Sequence, residues 1–175
     1  MKTTLVALLL TVVASTAAAQ PTITVNTIDE LQNRKATPHE IVRVLGYRAA
    51  GDAGKVRDFI HVNGNTDATN RGNSFSCRTP ASRYKAIDAS DLAQDARWWG
   101  LVGDGATDDA PAIQALLDWI PFNGHVLLPS GTIAIGTTLN FAGTNFVRSL
   151  GSLSGTGPNG TTLKWVGATG EPILY

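Results

Sequence analysis

The sequence predicts a mainly β fold in which a sheet is wound into coils next to one amphipathic helix. Three observations predict this fold class. Short β-branched strands follow one another closely between residues 125 and 166, with corner residues such as Pro129-Ser130-Gly131 between them. The chain has 18 glycines and 43% hydrophobic residues, which suits a turn-rich β protein with a core. The clearest helical periodicity lies in residues 109–120.

Residues 1–19 have the pattern of an export signal. Lys2 precedes an apolar run over 5–14, and the small residues 17–19 precede Gln20. The apolar run is shorter than the roughly 20 residues that a membrane-spanning helix needs. The alternative, a buried core helix, fits its terminal position less well. We therefore predict a signal peptide cleaved after Ala19, no membrane span, and a secreted, periplasmic or cell-surface protein.

Residues 20–97 are predicted to form a small β-rich segment. Alternating β-branched and apolar residues indicate strands at 22–25, 40–45, 56–62 and 84–87. A short helix should follow the first strand, with Thr27 as its cap and Glu30 as the reciprocal partner. The loop 63–74, rich in Asn, Gly, Asp and Thr, should be exposed and mobile. A helical turn is expected at 90–94.

Residues 103–120 are predicted to form a glycine turn that runs into a capped helix. Gly103 and Gly105 permit a positive φ. Three side chains offer oxygen acceptors and suitable charge to the free N–H groups of the helix start: Thr107, Asp108 and Asp109. Pro111 fits the first turn, and Pro121 ends the helix. One apolar stripe repeats at helical spacing: Ile113, Leu116, Leu117 and Ile120.

This motif resembles the opening signature of pectate-lyase-like proteins of the right-handed parallel β-helix class. That signature has a tryptophan-rich strand, a G-D-G-x-T-D-D-x-x-A-I-Q helix and a strand ending in Leu-Pro-x-Gly-Thr. The chain has Trp98-Trp99-Gly100, then residues 103–114, then residues 126–132. The resemblance implies that residues 98–175 are the N-terminal cap and first coils of such a β-helix. The resemblance also implies that the helix covers the open end of the β-helix and has no catalytic role.

The preceding segment also resembles β-helix proteins of this kind. Residues 42–47 match a Val-x-Val-Leu-Gly-Tyr pattern that lies upstream of the helix in many of them. Residues 51–54 follow as Gly-Asp-Ala-Gly and lack one glycine of the usual Gly-Asp-Gly-Gly. Residues 58–62 stand where an aromatic strand is expected. The resemblance implies a small β structure packed on the capped end of the helix.

The C-terminal part is predicted to contain only the first coils. Strands are expected at 125–128, 132–135, 137–141, 145–150 and 161–166, with a glycine-rich loop at 151–160. A few coils cannot close a stacked core without a neighbour or a cap. The chain stops at Tyr175 with no capping pattern, so we expect a truncated protein. The alternative is a small β-rich protein with another packing.

Composition limits the partners. The 14 basic and 14 acidic residues give no net charge, which argues against bulk nucleic acid as a partner. Cys77 is the only cysteine, so an intramolecular disulfide is impossible. Its thiol is buried and inert, free and reactive, or part of an intermolecular link, and the first state is favoured.

No residue of the chain is predicted to be catalytic, cofactor-binding or metal-binding. Three fragments copy pieces of the polygalacturonase-type hydrolase signature: Asn65-Thr66-Asp67, Asp108-Asp109 and Arg83-Tyr84-Lys85. They come in the wrong order and without Gly-His-Gly, so we interpret them as a loop, a helix cap and a strand.

Metal and sugar sites have equally weak support in the sequence. The acidic residues near the helix lack the ligand ladder of an EF-hand: Asp104, Asp108 and Asp109. The histidines have no metal-ligand spacing, so surface or hydrogen-bonded positions are favoured: His39, His61 and His125. The four tryptophans are more often core residues than platforms for sugar rings: Trp98, Trp99, Trp119 and Trp165.

Two functional hypotheses follow. The resemblance implies an exported carbohydrate-active enzyme that cleaves acidic polysaccharide by hydrolysis or β-elimination, with catalytic residues on coils beyond Tyr175. The alternative is a non-catalytic surface or tailspike-like carbohydrate-binding scaffold or adhesin, for which a homotrimer is one option. The export signal favours the enzyme. Either way, this chain alone is expected to be inactive.

Overall fold

The computed structural model describes residues 22–89, 91–120, 123–141, 152–170 and 173. Within these ranges the chain forms eleven strands, two α-helices and one 3-10 helix. The predicted signal peptide (1–19), the helix-ending Pro121 and the predicted strand 145–150 lie outside them. No helix in the described part is long and apolar enough to span a bilayer.

The N-terminal sheet has five strands: β1 (Ile23–Val25), β2 (Ile41–Val44), β3 (Arg57–Asn63), β4 (Ser74–Ser76) and β5 (Ser82–Ala86). Their order is β1-β2-β3-β5-β4, with β1 and β2 parallel and the other pairs antiparallel. The four predicted strands of this segment are confirmed to within a few residues. Strand β4 was not predicted, and its start is buried although the loop 63–74 was expected to be exposed.

Helix α1 (Ile28–Asn33) follows β1, as predicted. Thr27 caps it, because its hydroxyl accepts a hydrogen bond from Glu30 N at 3.1 Å. The reciprocal bond differs from the prediction, since the Glu30 carboxylate accepts from Asn26 N at 2.8 Å and not from Thr27. Ile28 and Leu31 are buried under the sheet and anchor the helix.

Residues 93–165 contain two parallel three-stranded sheets. The first has the order β10-β8-β6 and the second the order β11-β9-β7. The strands are β6 (Ala93–Asp95), β7 (Asp104–Asp108), β8 (His125–Leu127), β9 (Gly131–Ile135), β10 (Ser152–Ser154) and β11 (Thr161–Trp165). Successive pairs form rungs: β6 with β7, β8 with β9, and β10 with β11. The parallel stacking agrees with the parallel strand arrangement that the resemblance implied.

Burial decreases from the second rung to the third. Ile133 and Ile135 of β9 are fully buried, whereas their partners Leu163 and Trp165 on β11 are only half-buried. The other sheet behaves in the same way: Val126 on β8 is fully buried, and Leu153 on β10 is half-buried. The apolar core is therefore most complete below the third rung.

Helix α2 (Ala110–Trp119) lies between the first two rungs in the chain and confirms the predicted helix. The predicted stripe is buried: Ile113, Leu116, Leu117 and Ile120. Gln114 joins the helix to the chain after β9, since its amide donates to Asn140 O at 3.1 Å and accepts from Asn140 N at 2.8 Å.

Several local predictions are wrong. Residues 93 and 94, expected in a helical turn, belong to β6 because their backbone pairs with β8, and the buried Gln94 side chain donates to the carbonyls of Asp88 and Asp91. Residues 152–154, expected in a loop, form β10 because their backbone pairs with β8. Residues 137–141, expected as a strand, contain only a bridge at Leu139.

Of two further predictions around the helix motif, one is wrong and the other is partly confirmed. Trp98 and Trp99 lie in a 3-10 helix, Ala96–Trp99, and not in a strand. Asp95 caps this helix and the left-handed Gly100 ends it. Gly103 and Gly105 have the predicted positive φ, at 72° and 74°, but residues 104–108 form strand β7, which pairs with β9 with a register shift between Asp104 and Asp108.

Candidate functional site

The N-terminal sheet and the rungs are joined by a polar cluster around Arg57. This side chain is 3% exposed. Its Nε donates to Asp88 Oδ1 at 2.6 Å, Nη1 donates to Gly72 O at 3.1 Å, and Nη2 donates to Asn73 Oδ1 at 2.5 Å and Gln94 Oε1 at 3.2 Å. Burial lowers the pKa of Arg57, and the Asp88 carboxylate opposes that shift. An arginine stays protonated here, so the cluster holds a buried cation.

The sequence contains one indication of this cluster. Side chains alternate along a strand, so Arg57 shares the inward face of β3 with Phe59 and His61. A buried arginine needs several acceptors, which here come from three segments of the chain. Those acceptors could not be identified from the sequence.

Asp109 holds the start of α2 in a way that was not predicted. It occupies the cap position, but in a helical backbone conformation and without a capping bond from its side chain. Its carboxylate instead accepts from Val102 N at 2.7 Å and Gly103 N at 3.0 Å. It is 1% exposed, and burial raises its pKa against the effect of these two donors. Asp109 therefore fixes the turn before β7.

Asp108 and Asp104 hold the neighbouring turns. Asp108 Oδ1 accepts from Ala110 N at 3.0 Å and Gly136 N at 2.7 Å, so it caps the helix and ties it to the end of β9. The Asp104 carboxylate accepts from the N–H groups of Thr107 and Ala106, which lower its pKa. Each carboxylate of this motif thus binds backbone N–H groups. Within the described ranges, no group of three or more His, Cys, Asp or Glu side chains could hold a metal ion.

An open cleft of about 520 Å³ lies beside this joint, between the 67–74 loop, strand β5 and the end of α2. Its lining includes Asp67, Asn73, Ser74, Lys85, Asp118 and Trp119. Lys85 forms an ion pair with Asp67, and its hydrogen bond lowers the pKa of that carboxyl. Trp119 is half-buried and packs against buried Trp99, with ring centroids 5.2 Å apart.

Gly72 lets the backbone at the floor of the cleft approach the Trp99 ring closely, because it has no side chain. A Cβ at Gly72 would lie 2.2 Å from the Trp99 ring. The backbone that leads into β4 therefore rests directly on Trp99, which in turn supports Trp119. No sequence pattern predicted this cleft, because its walls are about 50 residues apart in the chain.

The hydrolase-like fragments are only partly brought together. Asp67 and Lys85 meet in the cleft, and Arg83 Nε donates to Asp67 O at 3.0 Å. Tyr84, between the two basic residues, points into the core and its hydroxyl donates to Glu40. Asp108 and Asp109 do not line the cleft. The fragment at 65–67 lies in a loop and the fragment at 83–85 in strand β5, as we interpreted them. In the third fragment, Asp108 caps the helix with its side chain and Asp109 does not.

The remaining candidates are scattered. His39 is exposed, and His125 Nδ1 lies 2.7 Å from Ser152 Oγ. His61 is buried, and neither ring nitrogen has a partner within the described ranges. The thiol of Cys77 is free and half-buried, 3.5 Å from Thr79 O. Trp98 and Trp99 are core residues as predicted, whereas Trp119 and Trp165 are half-buried.

Comparison with known proteins gives structural matches only. No family model and no curated protein sequence matches the chain. The enzymatically active domain of tailspike protein 4 from bacteriophage CBA120 superposes with a TM-score of 0.64, 18% identity and 86% of this chain covered. WceF of Pantoea stewartii, a glycan biofilm modifying enzyme with a bacteriophage tailspike-like parallel β-helix fold, gives 0.65, 21% and 86%. The chain has a parallel β-helix fold.

A third structure supports the same fold. The tailspike protein gp49 of Acinetobacter baumannii bacteriophage Fri1, a capsular polysaccharide depolymerase, has a TM-score of 0.61 and 16% identity over 77% of this chain. The chain spans only about a fifth of these three structures: 19% of the CBA120 protein, 23% of gp49 and 23% of WceF.

Proposed function

We propose that this chain is the N-terminal part of an exported, pectate-lyase-like, right-handed β-helix protein that acts on polysaccharide. Helix α2 closes the end of the β-helix, and the catalytic coils follow residue 175. One observation carries the proposal: parallel rungs begin beside α2 in a fold that the chain shares with a capsular depolymerase and a glycan-modifying enzyme. The motif over 103–114 supports the same assignment.

The exposure of the third rung supports further coils. Leu153, Leu163 and Trp165 are half-buried, although their partners one rung below are fully buried. Another rung stacked on β10 and β11, which are the outer strands of their sheets in the described part of the chain, would cover these side chains and pair with the strand backbones. The length of the matched structures is in line with this extension.

Half-buried Asp88 and buried Asp109 have structural roles in our proposal. Asp88 neutralises Arg57, and Asp109 binds two backbone N–H groups. A glycosidase needs two carboxyl groups on either side of a glycosidic bond, and a lyase needs a base beside the substrate carboxylate. We therefore place the cleavage chemistry on coils beyond Tyr175.

The test compares the 175-residue chain with the product of its gene read past codon 175. Both are incubated with acidic polysaccharides, and reducing ends and the ultraviolet absorbance of unsaturated sugars are measured. We expect products from the longer protein only, and the absorbance separates a lyase from a hydrolase. Cleavage by the 175-residue chain, or a reading frame that stops at Tyr175, would refute the proposal. Binding without cleavage by the longer protein would favour a tailspike-like adhesin.

Export and assembly have separate tests. The mass of the protein recovered from the periplasm or medium should correspond to a chain that begins at Gln20. A protein that keeps residues 1–19 would contradict cleavage after Ala19. Light scattering of the longer product determines whether it forms a homotrimer.

A further inference from the structure

Three of the six large apolar side chains that are exposed in the described part of the chain lie near the joint between the N-terminal sheet and the first rung. Val56 is 47% exposed, Ile87 52% and Leu92 51%. Val56 and Ile87 line one open groove of about 400 Å³, and Leu92 directly follows a third lining residue, Asp91. Single exposed apolar side chains are ordinary, whereas a group of them indicates a binding surface.

The same groove is acidic. Its other lining residues are Asp58, Asp88 and Asp91, and none of the described lining residues is a cation. Asp58 pairs with Arg43 at 2.8 Å, and Asp88 pairs with buried Arg57 at 2.6 Å. Asp91 is exposed, and within the described ranges no hydrogen bond reaches its carboxylate. One carboxylate beside two apolar side chains is thus left for a cation from outside.

Further rungs would leave this groove open. Asp88 and Asp91 lie in the link between β5 and β6, where the Gln94 side chain of β6 donates to their carbonyls at 3.4 and 2.9 Å. In the described part of the chain, β6 is the outer strand at one end of its sheet and β10 is the outer strand at the other. Rungs that stack on β10 are at the opposite end from the groove and cannot cover it.

The lining indicates what would fit. A lysine or arginine side chain combines an aliphatic stem with a charged end. The stem matches Val56 and Ile87, and the charged end matches Asp91. An amino sugar also carries a cation, but no aromatic ring is among the described lining residues to face its C–H groups. The groove therefore favours a protein segment.

We propose that this groove is a docking site for a basic, aliphatic segment of a partner protein. A lysine or arginine of the segment pairs with Asp91, and its stem packs between Val56 and Ile87. The site uses only residues of this chain and does not rest on the proposed cleavage of polysaccharide. Failure of the docking site would leave cleavage by later coils intact, and the reverse also holds.

The test is a titration of the purified protein with three fluorescein-labelled octapeptides. The first alternates leucine and arginine, the second has citrulline in place of arginine, and the third has serine in place of leucine. Fluorescence anisotropy measures the affinity, and the methyl signals of Val56 and Ile87 in NMR spectra locate the site. We expect saturable binding of the first peptide with both methyl signals shifted. The other two should bind at least tenfold more weakly, because each lacks one half of the match.

Several outcomes would overturn the assignment. They are no binding of the first peptide, equal binding of the citrulline peptide, and unshifted methyl signals. Glucosamine oligomers are titrated in parallel, and tighter binding of these than of the first peptide would contradict a protein partner. Light scattering tests a second copy as the occupant: self-association that Ile87→Lys abolishes would also overturn the proposal.

The first variant is Ile87→Lys, which replaces an exposed apolar side chain of the groove with a cation. It should weaken binding of the first peptide at least tenfold, because an apolar contact is lost and a like charge is added. The melting temperature should change little, since Ile87 is half exposed. Leu127→Lys is the matched control: Leu127 is 41% exposed on β8, away from the groove, and its replacement should not change the affinity.

Asp91→Asn provides a second, independent variant. It keeps the shape of the side chain and removes the charge, so affinity for the first peptide should fall about fivefold at low salt. Added salt should reduce this difference, because it screens the pair. Asp29→Asn, at an exposed position of α1, is the control and should bind as wild type. Wild-type affinity in both Asp91→Asn and Ile87→Lys would refute the site.

Discussion

The N-terminal sheet and the rungs satisfy their buried polar groups in different ways. In the sheet, side chains bind one another across the chain: Arg57 binds Asp88, Asn73 and Gln94, and Tyr84 binds Glu40. Around the first two rungs, single carboxylates bind the N–H groups of turns. Asp108 and Asp109 both act in this way. The sheet therefore depends on contacts between side chains, whereas the turns around the first two rungs depend on aspartates that bind backbone N–H groups.

The apolar cores differ as well. Phe59 lies at the centre of the sheet core, 5.6 Å from the Phe75 ring and 6.3 Å from the Trp98 ring by centroid. In the rungs, aliphatic side chains stack in columns, and their burial falls from Ile133 to Leu163. The burial of each aliphatic side chain in the rungs depends on whether another rung lies above it. The core of the N-terminal sheet, in contrast, is enclosed within the described chain. Substitutions can test how far the two regions depend on each other.

The largest effect is expected from Leu116→Asp, which places a charge beneath α2. An unpaired buried carboxylate should destabilise the protein by about 4 kcal/mol or more and make it insoluble or protease-sensitive. Limited proteolysis and soluble yield measure this. Pro111→Asp, at an exposed position in the first turn of the same helix, is the control and should behave as wild type. Protease resistance in Leu116→Asp would contradict the buried stripe.

Next comes Arg57→Met, which removes the buried cation of the sheet. Asp88, Asn73 and Gln94 then lose their shared donor, at an expected cost of about 3–5 kcal/mol. Urea unfolding followed by circular dichroism gives the loss. Arg43→Met in β2 breaks an exposed pair with Asp58 and should cost far less. Equal losses in the two variants would show that burial is not the deciding factor.

Asp109→Ala tests the turn that precedes β7 within the first rung. Two backbone N–H groups lose a buried acceptor, so the free energy of unfolding should fall by about 2–4 kcal/mol. Hydrogen exchange should locate the loss at Val102 and Gly103. Asp104→Ala, in the exposed turn, should destabilise the protein less. Unchanged protection at Val102 and Gly103 would argue against the role of Asp109.

The smallest effect concerns alkaline pH. Burial, and then the hydrogen bond to Glu40, raise the pKa of Tyr84 above its ordinary value of 10.0. The unfolded chain thus loses this proton at lower pH than the folded chain, and stability falls as pH rises above 10. Burial also raises the pKa of Tyr47, with the same sign. Urea titrations across this range should give a shallower decline for Tyr84→Phe. Parallel declines would contradict the linkage.

The sequence predicted those elements whose own pattern decides their structure. The stripe of α2 and the β-branched run of β9 carry enough local information. Strands β6 and β10 do not, because Ala-Gln-Asp and Ser-Leu-Ser have little strand preference and pair only because β8 lies beside them. The resemblance of residues 98–165 to known β-helix openings supplied the parallel arrangement that local pattern could not.

The cleft could not be predicted from local sequence patterns, because its residues come from distant parts of the chain. Asp67 and Trp119 are far apart in sequence and meet only after the sheet packs beside α2. The position of Asp109 in the sequence suits a helix cap. In the fold, its carboxylate oxygens instead accept hydrogen bonds from the backbone N–H groups of Val102 and Gly103.

Gln94 gives the molecule a mechanical property. Its backbone belongs to β6 and is bonded to β8, while its side chain is bonded to Arg57 in the N-terminal sheet. A pulling force on either region would load the other through this residue. In an optical trap, Gln94→Ala should lower the force at which the two regions separate, because it removes one of the contacts between them.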